Sequence, residues 1–301
     1  SVVNDVVENM AAMVTAMDIR TPRGSLSFPN IALTPYSGGS DHNIFIDRKI
    51  PGMMLGHSPD YTHHTSEDTP DKVDPVELER SEILATAAFW YLANLTEEQG
   101  VELAYLAGAK AAERMGQAAR EGMRTIMSAK YGDLQRAQWE VVNRISHHRE
   151  WAEAAVQDVL NFNDAQPVAG AVRIQLQALD SYGDFLAGSV DGWAHGMGIP
   201  SSGPEWEGPE PDDRVPGRLT RGPLAGGLPA ALLPAERAAW YASSSNPLRG
   251  NYPFELVNFI DGTRTITEIR NAIGAEFGPV PVAAVARFVE DMVETGLAEF
   301  R

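Results

Sequence analysis

The densest run of side chains able to do chemistry lies between Thr34 and Asp74, TPYSGGSDHNIFIDRKIPGMMLGHSPDYTHHTSEDTPDKVD. Its polar stretch from Gly56 to Lys72 holds His57, His63 and His64, three of the chain's seven histidines. A neutral imidazole on a loop is a preferred zinc ligand, although adjacent histidines in a polar loop such as His63 and His64 equally read as solvated surface residues. The chain has no cysteine, so any metal must take histidine and carboxylate ligands. Tyr36 offers a hydroxyl donor, and Asp41 equally fits a cap on the turn that follows it. The second doublet, His147 and His148, sits in a helical pattern, where adjacent residues point about 100° apart. His148 falls on the apolar stripe between Ile145 and Ala152 and reads as a packed or interface residue. His57 and His195 have no constellation around them and read as loop residues.

The elements that must position these groups follow from periodicity. Val2, Val3, Val6, Val7, Met10, Met13, Val14 and Met17 recur at helical spacing, which predicts one amphipathic helix. Ser25 to Leu33 reads as a strand, Gly38 and Gly39 as a loop, and Ile50 to Leu55 as a short buried strand. Asp74 and Glu77 form a capping box with Pro75 inside it, opening a helix to about Asn94. The alternation predicts an α/β segment over residues 1–95. Residues 96–199 turn to Ala, Leu, Glu, Gln and Arg, with a break at Lys130 to Asp133 and a further helix over Val168 to Leu186, which predicts an antiparallel helical bundle. Residues 200–228 are rich in Pro and Gly and read as a linker. Residues 229–301 hold a capping box at Thr265 and Glu268, helices ended by Gly278 and Gly296, and a strand-like Leu297 to Phe300. That tail predicts a small winged-helix-like α+β module, and the chain as a whole is helix-rich.

The motifs GSDH at Gly39 to His42 with Phe45, Ile-Pro-Gly at Ile50 to Gly52, and HTSEDT at His64 to Thr69 with its KVD tail occur in one order. In this order they resemble the C-terminal part of the co-catalytic zinc exopeptidases typified by bacterial leucyl aminopeptidases and glutamate carboxypeptidase. The resemblance covers residues 1–95. It implies that His64 is a terminal zinc ligand, that His63 faces the reacting carbonyl where relatives carry Tyr, and that Asp68 orients the loop. Asp41 and His42 take the supporting pair's place, with Tyr36 at the pocket wall. The family holds two zinc ions and hydrolyses N-terminal aminoacyl peptide bonds with a glutamate base. The family's other ligands and that base have no counterpart in this sequence. The resemblance therefore implies an incomplete zinc site here, completed by a missing N-terminal catalytic segment, and an isolated chain that is inactive. The opening of the chain directly in helical periodicity fits the same expectation.

With 24 basic and 41 acidic residues the net charge is -17, against the basic surplus that nucleic acid or an anionic membrane surface requires. The expected partners are the missing catalytic segment and a peptide substrate, with self-association through the helical region and with neither nucleic acid nor membrane. The family resemblance favours an extracytoplasmic parent. The rival from another class is an assembly fragment that keeps a peptidase-derived scaffold and binds proteins through its bundle and tail.

Overall fold

The computed structural model describes residues 1–20, 31–34, 36, 39–199, 209–222, 224–225 and 227–301, the side chain of residue 131 apart. Two compact units share the chain, one of residues 1–110 and 153–177, the other of residues 111–152 and 178–301.

In the first unit the valine-rich opening forms α1 (Val2–Ala16). Ser1 caps it: its hydroxyl accepts the Val3 N–H and donates to Asp158. Val2, Val3, Val6, Val7 and Val14 are buried, whereas Met13 and Met17, expected on the same stripe, stand in solvent. This face packs on α3 (Pro75–Ala93), which buries Val76, Leu84, Ala88 and Leu92. Each fully buried valine or leucine contributes about 1.5–3 kcal/mol. Asp74 begins α3 by accepting the Val76 N–H at 2.8 Å, with Pro75 in the first turn where its missing donor is harmless. The opposite side of α3 exposes Leu78, Phe89 and Trp90. Between the two helices lies the short α2 (His42–Asp47).

The predicted sheet is contradicted. The chain is 66% helical with two short strands among the described residues, and neither strand falls within the described part of residues 1–95, so no α/β sheet domain is shown there. Ile50 to Leu55 is irregular, with Ile50, Met54 and Leu55 exposed. A strand exists only through backbone pairing with a neighbour, and among the described residues of this segment there is none. The expected strand over Ser25 to Leu33 lies mostly outside the described residues, and Ile31 to Leu33 are irregular.

Three long helices follow: α4 (Glu97–Ser128), α5 (Leu134–Gln157) and α6 (Gln166–Gly196). The expected break appears as a 3₁₀ turn at Tyr131–Asp133. The helix predicted over Val168 to Leu186 runs ten residues further, and His195, read as a loop residue, lies in its last turn. Close helix approach depends on glycine. A Cβ at Gly100 would meet Val168 at 2.8 Å in the first unit, and one at Gly122 would meet Val141 at 2.3 Å in the second.

The end of the chain forms α7 (Leu228–Leu232), α8 (Ala235–Ala242), α9 (Tyr252–Phe259), α10 (Ile266–Phe277) and α11 (Val282–Glu294). Leu256, Ile266, Ile269, Ile273, Val285, Phe288 and Met292 make its core. The capping box of Thr265 and Glu268 is complete, and Gly278 ends α10 at φ 106°, a conformation that favours glycine. Leu297 to Phe300 does contain a strand, β2 (Ala298–Phe300), but its partner is β1 (Pro216–Arg218). The antiparallel ladder pairs Pro216 with Phe300 and Arg218 with Ala298. Its strands lie at the two ends of this helical segment rather than in a hairpin, so the winged-helix-like α+β reading is not carried. Asp291, fully buried, ties α8 to α11 through Arg237 and the Tyr241 hydroxyl, which donates to it at 2.7 Å.

The second unit also has a polar seam between α5 and α10. Glu140 pairs with Arg270, the Asn143 side-chain amide donates to Asn271 O at 2.9 Å, and His147 Nε2 lies 3.0 Å from Glu276 Oε1. Positions 140, 143 and 147 share one face of α5 by helical spacing. Among the described residues no helix is long and apolar enough to cross a membrane, and the apolar α10 and α11 are buried in the module's own core.

Candidate functional site

His63 and His64 lie in the irregular segment between α2 and α3, and Asp60 builds the turn that carries them. One carboxylate oxygen, Oδ1, accepts the Thr62 and His63 backbone N–H groups, each at 3.0 Å, and the Thr62 hydroxyl at 3.2 Å. The Thr65 N–H then donates to Thr62 O at 3.0 Å, and the Thr65 hydroxyl to the same carbonyl at 2.6 Å. The chain closes over the two histidines, and His64 takes φ 62°. For a residue with a Cβ this left-handed backbone costs about 1–2 kcal/mol. The imidazoles stack with centroids 3.7 Å apart and planes 27° apart, and both residues are exposed. The N–H of Thr62, and then that of His63, holds the Asp60 carboxyl below the ordinary carboxylate range.

The rest of the loop supports itself through its own polar groups. The Glu67 N–H donates to the Thr65 hydroxyl at 3.2 Å, and Asp68, which is exposed, donates its N–H to Thr65 O at 3.3 Å. Asp71 pairs with Lys72, which lowers its carboxyl along with the Thr69 hydroxyl bond. His57 is exposed and irregular.

A second group forms around α2. The Ile50 N–H donates to Phe45 O at 2.9 Å, and a Cβ at Gly52 would lie 3.5 Å from His42 O and from Phe45 Cβ. The Ser-Asp-His and Ile-Pro-Gly motifs are therefore in contact, and glycine lets them approach. Tyr36 donates its hydroxyl proton to Oδ1 of the buried Asn43 at 2.9 Å, and its ring meets the half-buried His42 edge-on at 5.6 Å. Asp41 stands at the N-cap of α2 without a side-chain cap bond, and is exposed.

The structure thus brings Tyr36, His42 and Asn43 together in one group, and Asp60, His63 and His64 in another. Sequence reasoning missed Asp60 and Asn43. Asp60 had a legible signal, since Asp followed two residues later by Thr is an Asx-turn pattern. Asn43 had none. Among the described residues no group of three His, Cys, Asp or Glu side chains is placed to hold a metal ion. The exposed imidazole of His64 fits zinc in kind, but a catalytic zinc takes three protein ligands, so the described residues do not form a self-contained centre.

No curated protein and no solved structure matches the chain. Residues 13–89, about a quarter of its length, match the model of peptidase family M28. The matched span includes both groups of candidate residues and relates this segment to metallopeptidases, a family of peptide hydrolases that are typically zinc-dependent.

Proposed function

We propose that residues 13–89 serve an aminopeptidase-type hydrolysis of N-terminal peptide bonds, with His64 as one zinc ligand and the remaining ligands supplied from outside the described residues. The observation that carries this reading is the family match over a segment whose His63–His64 pair is exposed on a built turn. In the same reading His63 faces the reacting carbonyl, Tyr36 and His42 with Asp41 form the pocket side, and Asp68 belongs to the loop. Bound zinc would supply water activation and carbonyl polarisation; no catalytic step is assigned to the described residues themselves. The completing segment and a peptide substrate are the partners of this reading.

Metal analysis and an aminoacyl reporter substrate test it. The 301-residue chain alone should hold no stoichiometric zinc pair and show no turnover. Zinc content and peptidase activity should appear when the completing segment is present, and both should be lost in His64→Ala. Turnover by the pure chain in proportion to bound zinc would refute the shared-site arrangement, and zinc retained in His64→Ala would remove the ligand assignment.

A second reading is favoured by the absence of a three-ligand group among the described residues. In it the segment is a peptidase-derived scaffold, and the long helices and the acidic C-terminal helices bind protein partners or a second copy. An assembled complex that contains this chain and has no zinc-dependent turnover would support it.

A further inference from the structure

We propose that Asp60 is the positioning residue of the histidine turn: its carboxylate holds the backbone that sets His64 in the left-handed region and so presents the His63 and His64 imidazoles as one stacked pair. The purpose of that pair rests on the metal-facing reading of His64; the arrangement itself rests on the geometry of the turn.

Three observations carry the inference. Glycine is the residue that stability alone would select at φ 62° on an exposed turn, yet the position holds a histidine. Strained backbone retained at an exposed site points to a use for the side chain that stands there. Second, adjacent side chains of an extended chain point to opposite faces, so rings stacked at 3.7 Å require the chain to reverse between them. Third, Tyr61, His63, His64 and Thr65 are all exposed, so no core shapes this turn and its local hydrogen bonds define it. Asp60 Oδ1 accepts three of those bonds, including both backbone N–H groups that precede His64. Asp68, the acid of the histidine motif, adds only a backbone N–H bond on the far side of the turn.

The test uses the full 301-residue chain and the proton NMR signals of its histidine rings. Stacking displaces the His63 and His64 ring protons upfield, and exposed His57 serves as the internal reference. Asp60→Ala should abolish the displacement. Asp60→Asn keeps an acceptor oxygen and should retain most of it, a rescue that a general loss of fold would not produce. A displacement unchanged in Asp60→Ala, or lost equally in Asp60→Asn, would overturn the proposal. A titration with Zn²⁺ alone adds a second readout: His63 and His64 should shift before His57, and Asp60→Ala should need about tenfold more Zn²⁺. If Zn²⁺ moves neither ring ahead of His57 in the wild-type chain, the metal reading of His64 fails, while the two Asp60 spectra still decide the positioning role.

Discussion

The chain carries two histidine doublets, His63–His64 and His147–His148. In the first, a turn closed by Asp60 brings two exposed rings face to face at 3.7 Å. In the second, a helix holds the rings 6.4 Å apart at 69° and sends them into different surroundings. His147 is buried against Glu276, Trp151 and Phe259. His148 is held neutral, its imidazole pushed down to about 4 by burial first, then by His147, Arg144 and Arg114, with Glu121 acting the other way. The same dipeptide is an exposed stacked pair in one place and a structural contact in the other. Backbone reversal and available partners make the difference, and neither is a property of the pair.

The largest expected effect lies in the helical doublet. Above pH 6.5 His148 is neutral in the folded and unfolded chain alike, and its contribution is fully present. As pH falls from 6.5 to about 4 the unfolded chain takes up the proton first, so stability drops by ~2–3 kcal/mol. His148→Gln should remove that slope in unfolding curves measured across the interval. Glu255 contributes with opposite sign, since burial and then the nearby Glu276 raise its carboxyl, with Asn258 opposing. The difference between variant and wild type therefore isolates His148. An identical slope in both would mean that His148 is solvated like the exposed doublet.

Next in size is the seam. Glu276→Ala leaves buried His147 without its partner and should cost about 2 kcal/mol, read from the urea midpoint. A loss below ~0.5 kcal/mol would place His147 in the surface class. The turn should respond in the other direction: His64→Gly relieves a left-handed Cβ and should stabilise the chain by up to ~1 kcal/mol. A destabilised His64→Gly would mean that the ring, and not the backbone bonds, holds the turn. Smallest of all, His63→Ala should change stability by less than ~0.5 kcal/mol, because the side chain is exposed.

Local signals were legible where the physics is local. The valine spacing of α1, the cap at Asp74, the break near Lys130 and the Thr265–Glu268 box each depend on neighbours within a few residues, and each appears. The ordered motifs around His42, Gly52 and His64 were legible too, and the family match falls across them. Strands were legible only in part: Leu297 to Phe300 reads as a strand and contains β2, but its partner was not legible. Ile50 to Leu55 has a strand's composition without a partner, while Pro216 to Arg218, in a segment that reads as linker, pairs with Ala298 to Phe300. The stripe reads His148 as packed, in keeping with its burial, but it carries no signal that Glu276 and Phe259, more than a hundred residues away, make His147 the more deeply buried of the two.

By itself the sequence determined the helices, their caps, the acidic charge and the residue types able to meet a metal, because helical hydrogen bonds, capping and composition act over a few residues. Tertiary structure alone decided which strands pair and which histidine of the helical doublet is the more deeply buried. Those outcomes depend on groups brought together through space.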